Sequence, residues 1–169
     1  MSTRLHFPAG LLDDLMGHLL RHLSIREEAA FLFARPAAEA GGFDVVEAVK
    51  LDGRDFAHHQ SDYLELADET RARLIKRAHD LDASLVEMHS HPGPFPAAFS
   101  YADMIGLADT VPYIWWRLKG RPYFAIVVAS GGFDALAWLR GPDQPEALHS
   151  IVADGRLLHP TNNSSRTYQ

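Results

Sequence analysis

Two histidines one residue apart, His89 and His91 in "VEMHSHPGPFPAAFSYAD", are the residues most able to do chemistry in this chain. On an extended strand, residues i and i+2 point to the same side, so His-x-His offers two imidazoles to one point in space. That arrangement suits a metal, and it equally suits two hydrogen-bonded histidines of no special purpose. Ser100 and Asp103 follow in a Ser-x-x-Asp spacing, which reads as a helix capping box with Ser100 as N-cap. A carboxylate held in the first turn of a helix can also serve as a third ligand. Pro92, Pro94 and Pro96 end the strand and stiffen a turn that would bring Asp103 back beside the histidines.

Taken together, the string is H-S-H-P, seven residues, then S-x-x-D. Without a mismatch, it resembles the zinc signature of the JAMM (MPN+, JAB-type) metalloproteases. The resemblance implies that His89, His91 and Asp103 hold one Zn²⁺. Three protein ligands leave a tetrahedral zinc one open position for water, which the metal acidifies toward neutrality. Peptide hydrolysis also needs a general base that returns the proton to the leaving amine.

In JAMM proteins that base is a glutamate from an early strand, in a pattern close to E-x-x-G-x-L-x-G. The counterpart assigned here is "EAAFLFAR", with Glu28 as the base and with Phe31 and Arg35 where glycines are frequent. Glu27 is the adjacent competitor, and on a strand it faces the opposite side from Glu28. Glu87, two residues before His89 and on its face, reads as a second carboxylate near the metal or the substrate. The resemblance gives Ser100 a further role, hydrogen-bonding the oxyanion that develops on the attacked carbonyl. His58 and His59, in a polar stretch, read as solvated, and the remaining histidines are scattered with no ligand spacing to the motif. Tyr113, Trp115 and Trp116 could line a groove, but read first as core.

The elements that must position these groups follow from periodicity. Leu11, Leu12, Leu15, Leu19 and Leu23 mark an amphipathic helix over 8–23, with Pro8 near its start. Strands are predicted at 29–34 and 43–51, joined as a hairpin across Gly41-Gly42. Residues 52–62 read as a loop and 64–79 as a helix. A strand at 84–89 runs into the motif, and a helix begins near Ser100. Strands at 123–130 and 133–140 form a second hairpin at Gly131-Gly132. The order predicts a mixed α/β (α+β) domain, and the resemblance implies a cytidine-deaminase-like, MPN-type sheet flanked by helices. One domain is expected over 1–158, followed by a flexible polar tail, 159–169.

Composition narrows the function classes. The formal net charge of −6 argues against a nucleic-acid binder, and no basic stripe stands out. Without cysteine there is no thiol nucleophile, disulfide framework or Cys-ligated zinc. No apolar run reaches the roughly 20 residues of a membrane span. The opening also lacks the apolar core of a signal peptide, so a cytoplasmic protein is expected. By resemblance, the chain is a zinc isopeptidase or peptidase that cleaves after the C-terminal glycine of a ubiquitin-like modifier. Small bacterial relatives of that kind are associated with ubiquitin-like conjugation, sulfur-carrier processing and antiphage defence. The alternatives are a zinc hydrolase removing a small group from a sulfur-carrier protein, and a catalytically silent scaffold of the same fold.

Overall fold

The computed structural model describes residues 2–22, 24–60 and 64–167. Its frame is a nine-stranded mixed sheet. In chain order the strands are β1 (Arg4–His6), β2 (Ala29–Pro36), β3 (Gly42–Lys50), β6 (Ser84–Ser90), β7 (Tyr123–Ala129), β8 (Gly132–Trp138), β9 (Pro145–Ala147), β10 (Ser150–Ala153) and β11 (Arg156–Leu158). Across the sheet they run β11-β10-β1-β3-β2-β6-β7-β8-β9, and a separate pair is formed by β4 (Phe56–His59) and β5 (Leu64–Leu66). Among the described residues, four α-helices complete the fold: α1 (Leu11–Leu19), α2 (Asp68–Asp80), α3 (Tyr101–Arg117) and α4 (Asn163–Thr167). This is an α+β domain, as the sequence predicts.

Each face of the sheet carries its own core, as period-two alternation requires. On one face, Leu12, Leu15 and Leu19 of α1 pack with Leu32, Val86, Met88, Ile126 and Val128. On the other face, Leu74, Ile75 and Ala78 of α2 and Leu107, Val111 and Ile114 of α3 pack with Phe31, Phe33, Leu85 and Val127. The central strands β2 and β7 are therefore apolar at most positions, and β6, which also carries polar residues, is buried at every position but Glu87, because both faces are covered.

The two hairpins form as expected. The second closes through Ser130 and Gly131, whose φ of +90° is open to glycine at no steric cost. Four expectations are corrected. The first helix begins at Leu11 rather than near Pro8, because Gly10 takes φ +76° and stands outside it as the N-cap. Leu23, assigned to that helix's apolar face, lies outside the described residues. The stretch 52–62 is not simply a loop: a 3₁₀ turn at Gly53–Asp55, capped by Asp52, leads into β4. Positions 61–62 lie outside the described residues. The second helix begins at Asp68 rather than 64, because Leu64–Leu66 pairs with β4 instead.

The fourth correction concerns the tail. Residues 159–167 are packed on the domain: Ser164 is buried, and Thr161 donates its amide to the Phe133 carbonyl. Buried hydrogen bonds outweigh the polar composition that suggested mobility, and only 168–169 of the expected tail lie outside the described residues. Among the described residues, no helix is long and apolar enough to cross a membrane.

Phe33 has no exposed surface and anchors the helix-α2/α3 side of the core. Phe33→Ala is expected to lower unfolding free energy by about 3–5 kcal/mol, read from urea denaturation at constant slope.

Candidate metal centre

The motif strand lies in the middle of the sheet. β6 pairs antiparallel with β2, placing Ala29 opposite His89, and parallel with β7, placing His89 opposite Val127. Beyond the last strand residue the pairing is carried on by single bonds. The Ser90 amide donates to the Glu28 carbonyl at 3.0 Å, and the His91 amide to the Val128 carbonyl at 2.9 Å. The Glu28 amide donates in turn to Ser90 Oγ at 2.9 Å. Both histidines are thus fixed by main-chain bonds to neighbours on either side.

The connection then returns through Phe99, which is buried and sets its ring 5.9 Å from that of His89. Helix α3 starts directly after it. Ser100 is the N-cap: its Oγ accepts from the Asp103 amide at 3.1 Å, and Asp103 Oδ2 accepts from the Ser100 amide at 2.7 Å. The expected capping box is present, and it aims the carboxylate at the histidines.

His89, His91 and Asp103 meet with one ligand atom each, all within 4.8 Å of one another. His89 Nε2 lies 3.2 Å from His91 Nε2 and 3.4 Å from Asp103 Oδ1, while His91 Nε2 lies 3.0 Å from Asp103 Oδ2. A four-coordinate ion with bonds of about 2.0–2.1 Å spaces its ligand atoms about 3.3 Å apart. The triangle has that size, and its atoms are two imidazole nitrogens and a carboxylate. The group could hold a metal ion. His89 is buried, while His91 and Asp103 are partly covered.

The electrostatics agree with a cation at this point. Burial opposes ionisation of Asp103, but hydrogen bonds to His89 and His91 outweigh it and hold the carboxyl well below the usual range. Burial also works against a charged His89, yet Asp103 beside it pulls its pKa upward.

The two neighbouring glutamates separate. Glu27, buried, places Oε1 3.6 Å from His91 Nε2. Glu28, also buried, directs its carboxylate toward His59 at 3.8 Å. The structure therefore brings Glu27, not Glu28, to the centre. The signal was present in the sequence. Counting E-x-x-G-x-L-x-G from Glu27 puts the small residues Ala30 and Ala34 at the glycine positions and Leu32 at the leucine. Both alanines have no exposed surface and pack in the α1-side core.

His59 was missed as well. It is not solvated: its ring packs against Phe56, and Nε2 donates to the Glu27 carbonyl at 2.7 Å. It thus fixes the main chain at Glu27 from the β4–β5 side, a contact between distant parts of the chain that no local spacing reveals. His58 is exposed.

Beside the triad a cavity of about 350 Å³ opens between the sheet and helices α2 and α3; Glu27, Phe31, Arg71, Glu87, Asp103 and Thr110 are among its walls. Glu87 shares the face of His89 and accepts a 2.5 Å hydrogen bond from the buried Tyr123 hydroxyl. Burial pushes the Glu87 carboxyl upward. The aromatic residues of α3 divide: Trp115 packs on the core, but Trp116 and Tyr113 are exposed.

No protein-family model and no curated protein matches this chain. The fold is similar to the solution structure of protein DSY2949 from Desulfitobacterium hafniense, a structural-genomics target. The TM-score is 0.60 at 13% identity, over 90% of this chain and 94% of that one. At that identity the likeness bears on the fold alone.

Changing His89 and His91 together to alanine is expected to abolish stoichiometric metal uptake, measured by metal analysis after dialysis. Because His89 must lose a proton to bind, and its pKa is raised, affinity for Co²⁺ falls as pH drops through neutrality. Titrations at about pH 8 and about pH 6 should differ at least tenfold, with proton release at the lower pH; equal affinities would show that the histidines are not the ligands.

Proposed function

We propose that this protein is a zinc-dependent isopeptidase or peptidase of the JAMM type, with an MPN-like fold, acting after the C-terminal glycine of a ubiquitin-like modifier. The observation that carries the reading is the meeting of His89, His91 and Asp103 in a triangle of tetrahedral size, with a glutamate on its edge. Two nitrogens and a carboxylate are the donor set of hydrolytic zinc, which keeps an open position for water. When bound there, zinc supplies a Lewis acid and a water acidified toward neutrality.

The residues of the chain divide the remaining work. Glu27 is the general base: its carboxylate stands next to His91 without belonging to the triad. From there it takes a proton from the attacking water and delivers it to the leaving amine. Glu87 is not suited to that task, since one of its oxygens is occupied by the Tyr123 hydroxyl.

Ser100 can act on the oxyanion while it caps the helix. Its Oγ accepts from the Asp103 amide, which uses a lone pair and leaves the hydroxyl hydrogen to donate. Capping and oxyanion stabilisation therefore draw on different parts of one hydroxyl. The residue is exposed, as a group meeting substrate must be.

The cavity of about 350 Å³ beside the triad gives an extended Gly-ending tail a place to enter. The folded part of the modifier and the protein to which it is joined would stay outside.

The test compares wild type, Glu27→Gln and Glu28→Gln for zinc content and for cleavage of a ubiquitin-like–lysine fusion. Glu27→Gln should keep one zinc and lose turnover by roughly 10²–10⁴-fold. Glu28→Gln should keep both within a few-fold. Loss of turnover in Glu28→Gln alone would return the base to Glu28. Zinc without cleavage of any such fusion by wild type would refute the substrate class.

A further inference from the structure

The C-terminal segment that composition marks as a loose tail is tied to the loop between the metal ligands. Thr161 Oγ1 donates to the Ala97 carbonyl at 2.8 Å, and Asn163 Nδ2 to the same oxygen at 3.3 Å. Two residues on, the Phe99 amide donates to Ser164 Oγ at 2.8 Å. Ala97, Phe99 and Ser164 are all buried. These are the residues immediately before the Ser100 cap, and Phe99 is the one whose ring rests against His89.

The segment is held in turn by Asp134 on β8, a carboxylate with 1% of its surface exposed. Its Oδ1 accepts from the amides of Ala135 at 3.0 Å and Asn162 at 3.1 Å. Its Oδ2 accepts from the Ser164 amide at 2.8 Å and the Ser164 hydroxyl at 2.6 Å. Four neutral donors thus compensate one buried carboxylate, a costly group to bury unless it is fully hydrogen-bonded. Asp134 also has a defined place relative to the metal ligands. It pairs with Val127, which pairs with His89, so the row Ala29–His89–Val127–Asp134 crosses four strands.

The polarity of this chain of bonds is fixed. Ser164 Oγ accepts from the Phe99 amide, so its hydrogen must go elsewhere, and Asp134 is the acceptor. A carboxylate at the end strengthens each bond before it. Helix α4 has five residues and could not stand alone; these bonds are what place it.

We infer that Asp134 and Ser164 are positioning residues for the metal centre: through Phe99 they set where Ser100 and Asp103 stand relative to His89 and His91. The C-terminal segment is thereby part of the metal site without touching the ion. The inference rests on the metal-binding reading above. Partners that orient ligands in this indirect way typically change metal affinity by about 10–100-fold when removed.

The experiment uses the full chain as wild type, Ser164→Ala, Asp134→Asn and, as a milder change, Thr161→Val. Leu5→Ala, a buried residue in the core on the far face of the sheet, serves as the control for loss of stability alone. Each is titrated with Co²⁺, following the visible absorption band, and amide hydrogen exchange is measured at Phe99 and Asp103. Ser164→Ala and Asp134→Asn should bind Co²⁺ at least about tenfold more weakly with an altered band, and exchange faster at Phe99. Leu5→Ala should keep the wild-type band. If either principal variant does not fold, the other and Thr161→Val carry the comparison. Wild-type affinity, band and exchange in the variants would overturn the inference. If wild type itself binds no Co²⁺, the metal reading fails, and unchanged exchange at Phe99 in Ser164→Ala would then sink the positioning role separately.

Discussion

The carboxylate of Asp103 takes part in two structures at once, and the site depends on that. As the third residue of α3 it closes the capping box with Ser100, so its direction is set by where the helix begins. As the partner of His89 and His91 it supplies the only anion within the metal triangle. A carboxylate free to choose among rotamers would lose entropy on binding an ion; one already bonded to the Ser100 amide has lost most of it on folding. The strand supplies two ligands by its pleat and the helix supplies the third by its cap. The loop between them has to bring those two elements into register.

The surrounding contacts serve that register. Glu27 sits one residue before the Glu28–Ser90 pairing and two before the start of β2, so its position follows from the same β2–β6 ladder that places His89. His59 secures its carbonyl from the small β4–β5 sheet. On the other side, Asp134 and Ser164 secure the Phe99 end of the loop. Each brace is a buried or partly buried polar bond made between residues far apart in sequence.

That distribution explains what could be read from the sequence. The triad was legible because its three members are local: a pleat, a proline turn and a cap, all within fifteen residues. The long apolar elements were legible from periodicity, and the helices on both faces of β2, β6 and β7 account for their lack of alternation. The braces were not legible. Nothing near His59 marks it as a partner of Glu27, and nothing near Asp134 marks it as the acceptor for residues 162 and 164. Short strands such as β1, β9 and β11 have three residues each and no pattern to detect. The polar segment 159–167 misled for a related reason: the polar side chains of Thr161, Asn163 and Ser164 bond to the Ala97–Phe99 loop and to Asp134.

The exchange of Glu28 for Glu27 shows how a single-residue shift decides a site. Main-chain pairing continues to Glu28, just before β2, and there the two adjacent carboxylates diverge: Glu27 lies beside His91 and Glu28 points toward His59. A pattern match anchored on the first plausible glutamate is therefore weak unless the rest of the strand agrees with it. From Glu28, the positions calling for small residues hold Phe31 and Arg35; from Glu27, they hold Ala30 and Ala34, both fully buried. Ala30 and Ala34 pack in the α1-side core with Leu15, Val86 and Met88, and the carboxylate that reaches His91 is that of Glu27.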